Sequence, residues 1–230
     1  MFRNISLRAW NLRCRRSLST NAYLPPSTAY TSPSHGCDAA THTTPSDLTL
    51  TERRTLESAL RVDQAGEIAA NYIYQGQLVV LGSDKNLGAL IQASPNMWDQ
   101  EKKHLLVMDE LQVQHNIRPT LLSEVAKVAG FGLGVATALM GKEAAMACTE
   151  AVETVIGEHY EDQLKELGSF SSKHPSLPLL KDVIKEFRDD ELEHLDTAVD
   201  HFSQRAPAHA LLSTIIGSGC KIAIEVCKRV

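Results

Sequence analysis

One pattern occurs twice in this chain, in the same order. Glu67 is followed by Tyr74, Gln77 and Leu78 at +7, +10 and +11, and Glu153 is followed by Tyr160, Gln163 and Leu164 at the same offsets. Asp99, Glu101, His104 and Leu105 match Asp189, Glu191, His194 and Leu195, so D-x-E-x-x-H-L also appears twice, each time behind a single Glu. On a helix, residues i and i+3 stand within about 60° of each other, so E-x-x-H presents a carboxylate and an imidazole to one point. An isolated E-x-x-H more often marks a solvated helix face. Two copies in register, each preceded by a lone Glu, imply a duplicated helical hairpin whose four helices aim four carboxylates and two imidazoles at a shared interior.

The rest of the chain is compatible with that plan. Helical stretches are expected over 50–81, from about 86 to 115 with an irregularity at Ser94-Pro95, from Pro119 to 167 with a break near Gly141, over 176–205, and from Pro207 onward. No run alternates like a strand, and aromatics are only 5% of residues, which disfavours a β-sandwich. Long helices joined by short turns predict an all-α, antiparallel four-helix bundle over residues 48–230, with additional amphipathic helices.

Two apolar stretches with basic flanks supply those extra helices: 128–141, between Lys127 and Lys142, and 206–220, ending at Lys221. Both are shorter than the roughly 18–20 uncharged residues of a spanning helix. Such segments suit a helix lying in a membrane interface or one buried in a core.

Charge is divided unevenly. Residues 1–45 carry five arginines and one acid, Asp38, which leaves 18 basic and 27 acidic residues in the remainder. A body that acidic is a poor nucleic-acid binder and a good host for multivalent cations. Residues 1–20 contain Arg, Ser and apolar residues without acids, the composition of a mitochondrial transit peptide or of a disordered basic tail. Residues 21–47, rich in Ser, Thr, Pro and Ala, read as a disordered linker. Five cysteines without a C-x-x-C suggest neither a disulfide framework nor a zinc site.

The candidate ligand set is therefore Glu67, Glu101, His104, Glu153, Glu191 and His194. Its four carboxylates balance two divalent cations. Two Glu plus two E-x-x-H on four helices is the dinuclear carboxylate arrangement of ferritin-like bundles, and this donor set suits iron or manganese. Asp63 and Glu150 lie about one turn before the two single glutamates, placed either to orient a ligand histidine or to face water. Tyr74 and Tyr160 share the glutamates' stripe, as core residues with a bonded hydroxyl or as partners of the site. Glu158, Glu161, Glu166 and Glu193 are expected in water. His115, His174, His201 and His209 lack partner spacing. Gly130-Phe131-Gly132-Leu133-Gly134 follows no strand and is no dinucleotide fingerprint.

Several separated motifs, in order from about residue 53 to the end, carry a family resemblance: Leu60-Arg61-Val62-Asp63-Gln64-Ala65-Gly66-Glu67, the helix with Glu101 and His104, Ala147-Cys148-Thr149, and Phe187 through His194. In these the chain resembles the 5-demethoxyubiquinone hydroxylases of ubiquinone biosynthesis. Gln64 is a departure, since relatives often carry His there, but that position is not a family ligand. The resemblance implies a ferritin-like di-iron monooxygenase with Glu67, Glu101, His104, Glu153, Glu191 and His194 as metal ligands and catalytic residues. It implies two Fe ions, O2 as co-substrate and a polyprenylated demethoxyquinol as substrate. It also implies a peripheral position on the matrix side of the mitochondrial inner membrane, and a lipid-binding partner protein within a biosynthetic complex. The reductant is left open between NADH, the quinol and a separate protein. A homo-oligomer is compatible with the sequence. Iron storage in a cage, a quinone-binding scaffold with a vestigial site and a quinol-oxidising terminal oxidase are rival roles for such a site.

Overall fold

The computed structural model describes residues 24–32, 38–83 and 97–230. Among these there are eight α-helices and no strand: α1 (Thr28–Thr31), α2 (Ala39–His42), α3 (Leu50–Leu81), α4 (Met97–His115), α5 (Ser123–Leu139), α6 (Lys142–Gly168), α7 (Ser176–Asp200) and α8 (His209–Cys227), with a 3-10 turn at Ser203–Arg205. The expected transit peptide and the irregularity at Ser94-Pro95 lie outside the described residues.

Local chemistry sets most boundaries. Thr49 and Glu52 form a capping box that starts α3, each side chain satisfying the other's backbone N–H. Pro119 does not open the third stretch as expected: α4 turns at Asn116, whose φ is 53°, and α5 begins only at Ser123. The break between α5 and α6 falls at Gly141, where φ is 117°, a conformation that favours glycine. The fourth stretch also stops early, at Asp200, and the turn to α8 carries Phe202 and Ala208 in the left-handed region.

Helices α3, α4, α6 and α7 form the bundle. One end of its core is packed with Leu56, Leu60, Val107, Met108, Leu111, Leu180, Ile184 and Phe187, and the other with Tyr74, Met97, Met146 and Ala198. The candidate ligands sit between these clusters.

α5 lies along α3, and the glycine-rich run explains how. A Cβ on Gly130 or Gly134 would strike the carbonyl oxygens of Ala69 and Ile73, and one on Gly76 would strike that of Phe131. Small residues one turn apart thus let two helix backbones touch, the small-xxx-small mode of close packing. Gly132 points to open space. α8 packs on α6 and α3 through Ile216 and Cys227, leaving Leu211, Ile215 and Ile222 exposed beside the exposed Val125 and Val128 of α5. Among the described residues, α8 alone is long and apolar enough to cross a membrane, despite Lys221 and Glu225, whereas the uncharged stretch read from the sequence was too short.

The stretch expected to be an unpacked linker differs from that expectation where it is described. Ser27 is buried and gives its N–H and hydroxyl to Glu186 of α7 at 2.8 and 2.6 Å. Tyr30 bonds Gln114, Gln114 bonds the carbonyls of Ala40 and Thr43, and the Thr44 hydroxyl meets His115. Polar composition rules out a core of its own, but hydrogen bonds to a neighbouring bundle suffice to order a short segment.

Candidate metal centre

Each bundle helix delivers its part of the predicted set. Glu67 comes from α3, Glu101 and His104 from α4, Glu153 from α6, and Glu191 and His194 from α7, and all six are buried. They form two overlapping groups: Glu67, Glu101, His104 and Glu191, and Glu101, Glu153, Glu191 and His194. Within each group the donor atoms lie within 4.8 Å of one another. Glu101 and Glu191 belong to both.

Both imidazoles turn Nδ1 inward. His104 Nδ1 lies 3.1 Å from Glu191 and 3.6 Å from Glu67. His194 Nδ1 lies 3.1 Å from Glu101, 3.1 Å from Glu191 and 4.0 Å from Glu153. Glu191 therefore reaches one histidine with each oxygen. Glu67 Oε2, Glu101 Oε1 and His104 Nδ1 are buried without a hydrogen-bond partner, because their close approaches are off the line that a hydrogen bond needs.

The outer nitrogens are held from the opposite hairpin. His104 Nε2 meets Asp190 of α7 at 3.0 Å, and His194 Nε2 meets Gln100 of α4 at 2.9 Å. Such outer partners fix the ring and tune its basicity. The two tyrosines also cross over: Tyr74 donates to Glu153 at 3.2 Å and Tyr160 donates to Glu67. Asn71 ties the helices at depth by donating to the carbonyl oxygens of Glu67 and Glu101.

Electrostatics match this crowding. Burial pushes Glu67 up to about 8 and Glu153 well above the carboxylate range. For Glu191, burial works upward, but the two histidines beside it hold it below its usual value. Burial opposes a charge on His194, yet Glu101 and Glu191 raise it to about 11. The cluster thus retains protons among its carboxylates and imidazoles. Unpaired, inward-facing oxygen and nitrogen donors that share protons are what a pair of divalent cations replaces, releasing those protons.

Three auxiliary expectations resolve differently. Tyr160 touches the site through Glu67. Asp63 is buried and meets neither a ligand histidine nor water: Gln163 donates to it at 2.8 Å, and His159 stands 3.3 Å away. Glu150 bonds His209 at 2.9 Å and so anchors the start of α8 rather than a ligand. Of the acids expected in water, Glu158, Glu166 and Glu193 are exposed, and the partly exposed Glu161 pairs with Arg188. The sequence reading missed Asp190, Gln100, Asn71 and His159. A signal for the first two existed: both immediately precede the Glu of an E-x-x-H.

An apolar cavity of about 470 Å³ opens beside the cluster. Its walls are α3, α5, α6 and α8, with Ala65, Ala69, Val125, Leu133, Ile156, Ile215 and Ala223 among them. The polar side chains on its lining are Asp63, Glu67, His159 and Tyr160, so its polar end reaches the cluster at Glu67.

The model of the family described as ubiquinone biosynthesis protein COQ7 matches residues 54–227. The chain belongs to the COQ7 family. The COQ7 match takes in all six clustered side chains and all four walls of the cavity. Among curated relatives, the mouse protein named NADPH-dependent 3-demethoxyubiquinone 3-hydroxylase, mitochondrial, is 49% identical over 77% of this chain and 79% of its own. The Saccharomyces cerevisiae 5-demethoxyubiquinone hydroxylase, mitochondrial, is 43% identical over 76% and 78%. The Rhodospirillum rubrum 3-demethoxyubiquinol 3-hydroxylase is 47% identical over 76% and 78%.

Proposed function

We propose that this chain is a demethoxyubiquinol hydroxylase. The observation that carries the proposal is the continuity between a buried cluster of four glutamates and two histidines and an apolar cavity lined by one of those glutamates. Relatives at 43–49% identity are named for the same reaction.

The six residues would hold two iron ions, with Glu101 and Glu191 shared between them. When bound, that pair supplies the redox chemistry by which one atom of O2 enters an aromatic ring and the other leaves as water, with two electrons supplied from outside. A reduced nicotinamide is the donor proposed here, NADPH by analogy with the mouse relative's name in preference to the NADH first considered. The protein's own share is geometric and dielectric. Asp190 and Gln100 keep Nδ1 of each imidazole facing inward. Tyr160 and Tyr74 hold single oxygens of Glu67 and Glu153, restricting how these carboxylates swing. The apolar walls exclude water and accept an isoprenoid tail, while the quinol ring rests at the polar end near Glu67, Asp63 and His159.

A substrate with such a tail resides in lipid. The exposed apolar residues of α5 and α8 flank the cavity and form the surface proposed to rest on the matrix face of the mitochondrial inner membrane. Residues 1–20 are proposed as the transit peptide, and a lipid-binding partner of the same biosynthetic complex is proposed to deliver substrate there.

The test is anaerobic loading with Fe(II), addition of a demethoxyquinol, O2 and NADPH, and mass spectrometry of the ring product. One added oxygen atom is expected from the loaded protein, and none from Glu153→Ala that remains helical by circular dichroism. Full hydroxylation by a metal-free variant would overturn the proposal.

A further inference from the structure

Resting on the metal-centre reading above, we infer that the segment around Ser27 is a positioning strap for His104, acting through Glu186, Lys103 and Asp190. A continuous line of polar contacts joins them. Ser27 gives two hydrogen bonds to the Glu186 carboxylate, at 2.8 and 2.6 Å. Lys103 reaches the same carboxylate at 2.9 Å and Asp190 at 3.4 Å. Asp190 takes the outer nitrogen of His104 at 3.0 Å through the same oxygen that faces Lys103.

The chemistry gives each link a job. Lys103 and His104 compete for one oxygen of Asp190. A lysine drawn fully onto Asp190 would loosen the imidazole, and a lysine lost to water would leave Asp190 uncompensated. Glu186 sets the balance by holding the ammonium at the shorter distance. Glu186 lies at the rim of the bundle on α7 with its side chain 12% exposed, and a second anchor fixes which way its flexible carboxylate points. Ser27 is that anchor, itself buried and fastened independently through its near neighbour Tyr30, whose hydroxyl bonds Gln114. Lys103 also stands 5.9 Å from the ring centroid of Phe187, on which His104 stacks at 3.9 Å, so the arrangement has both a polar and an aromatic guide.

The experiment titrates Co(II) alone into the full-length chain, reading the visible d–d bands and measuring affinity by chelator competition. Wild type is expected to bind two ions. Lys103→Met should weaken one of the two positions by about tenfold, the low end for loss of a residue that supports a ligand histidine, and shift its bands. Ser27→Ala, which keeps the backbone donor, should shift the same bands by less, and Lys103→Arg should restore them. Thr44→Val, which removes a hydroxyl that meets His115 and touches neither Ser27 nor the Glu186 line, should leave both positions unchanged, and thermal unfolding checks that each variant is folded. Unchanged binding and spectra in Lys103→Met and Ser27→Ala, or an equal change in Thr44→Val, overturn the strap while leaving the metal centre standing. A folded wild type that binds no cobalt overturns both.

Discussion

The two hairpins contribute matching candidate ligands but unequal support. Under the repeat, Glu67 corresponds to Glu153, Glu101 to Glu191, His104 to His194, and the tyrosines cross over symmetrically. Behind the ligands the symmetry ends. His104 leans on a carboxylate, Asp190, where His194 leans on the amide of Gln100. Gln163 donates to Asp63, where the corresponding Gln77 finds only a carbonyl and the Thr149 hydroxyl. His159, next to the cavity, occupies the place that Ile73 holds in the first hairpin. Duplication fixed the donor count, and divergence of the surrounding residues made one side more acidic and turned it towards the cavity. A carboxylate behind an imidazole raises the ligand's basicity more than an amide does, so the two metal positions should differ in affinity.

The largest expected effect tests what the halves share. Glu191→Ala removes a donor from both groups and should abolish metal binding, whereas His194→Ala should leave up to one ion per chain with the helical signal intact; elemental analysis with circular dichroism decides. Equal losses from both would mean the positions are not separable. Next, Asp190→Asn should cost about 10–100-fold in affinity at the His104 position only. Gln100→Glu should narrow the difference from the other side, and chelator competition measures both.

A smaller effect concerns the metal-free cluster as a whole. Glu67 shifts from 4.5 up to about 8 in the folded protein. A raised folded value means its contribution is fully present below about 4.5 and is lost as pH rises through 8. The melting temperature of metal-free protein should therefore fall between about pH 4.5 and 8. Saturating metal should flatten that slope, because the ligands are then deprotonated at both ends. An apoprotein equally stable across the range would contradict the proton-sharing account.

The smallest effect is at Asp99 and Asp189, identical in the repeat yet both exposed, in surface pairs with Lys102 and Arg188. Replacing either with Ala should change stability by less than about 0.5 kcal/mol in urea unfolding and leave metal content unaltered.

That contrast explains what was readable beforehand. Exact repetition located the six side chains that cluster in the bundle, because a helix with a fixed period carries equal offsets to equal positions. It misdirected attention at Asp99 and Asp189, which are the same in both copies yet face solvent, and passed over Gln100 and Asp190, which differ in kind but perform the same task one residue later. The expected stretch 50–81 matches α3, whose start a capping box fixes in the structure, and the expected break near Gly141 falls where the backbone suits glycine. Contacts made across the fold left no such trace. Glu150 could not be assigned to His209, nor Ser27 to Glu186, because the partners lie 59 and 159 residues apart. The glycine run was rejected as a phosphate loop, but its real use depends on Ala69 and Ile73 of another helix.

The backbone contact between α3 and α5 also bears on how the cavity can vary. Where main chains touch, the spacing of the two helices is fixed, so on that wall only the side chains that face the cavity, such as Val125 and Leu133, can change the bore. The facing wall, α8, meets the cavity through side chains such as Ile215, Ala223 and Ile224. Bore width can therefore be adjusted one methyl group at a time on either wall, and α8, packed through side chains, is the wall that can also shift for a bulkier guest.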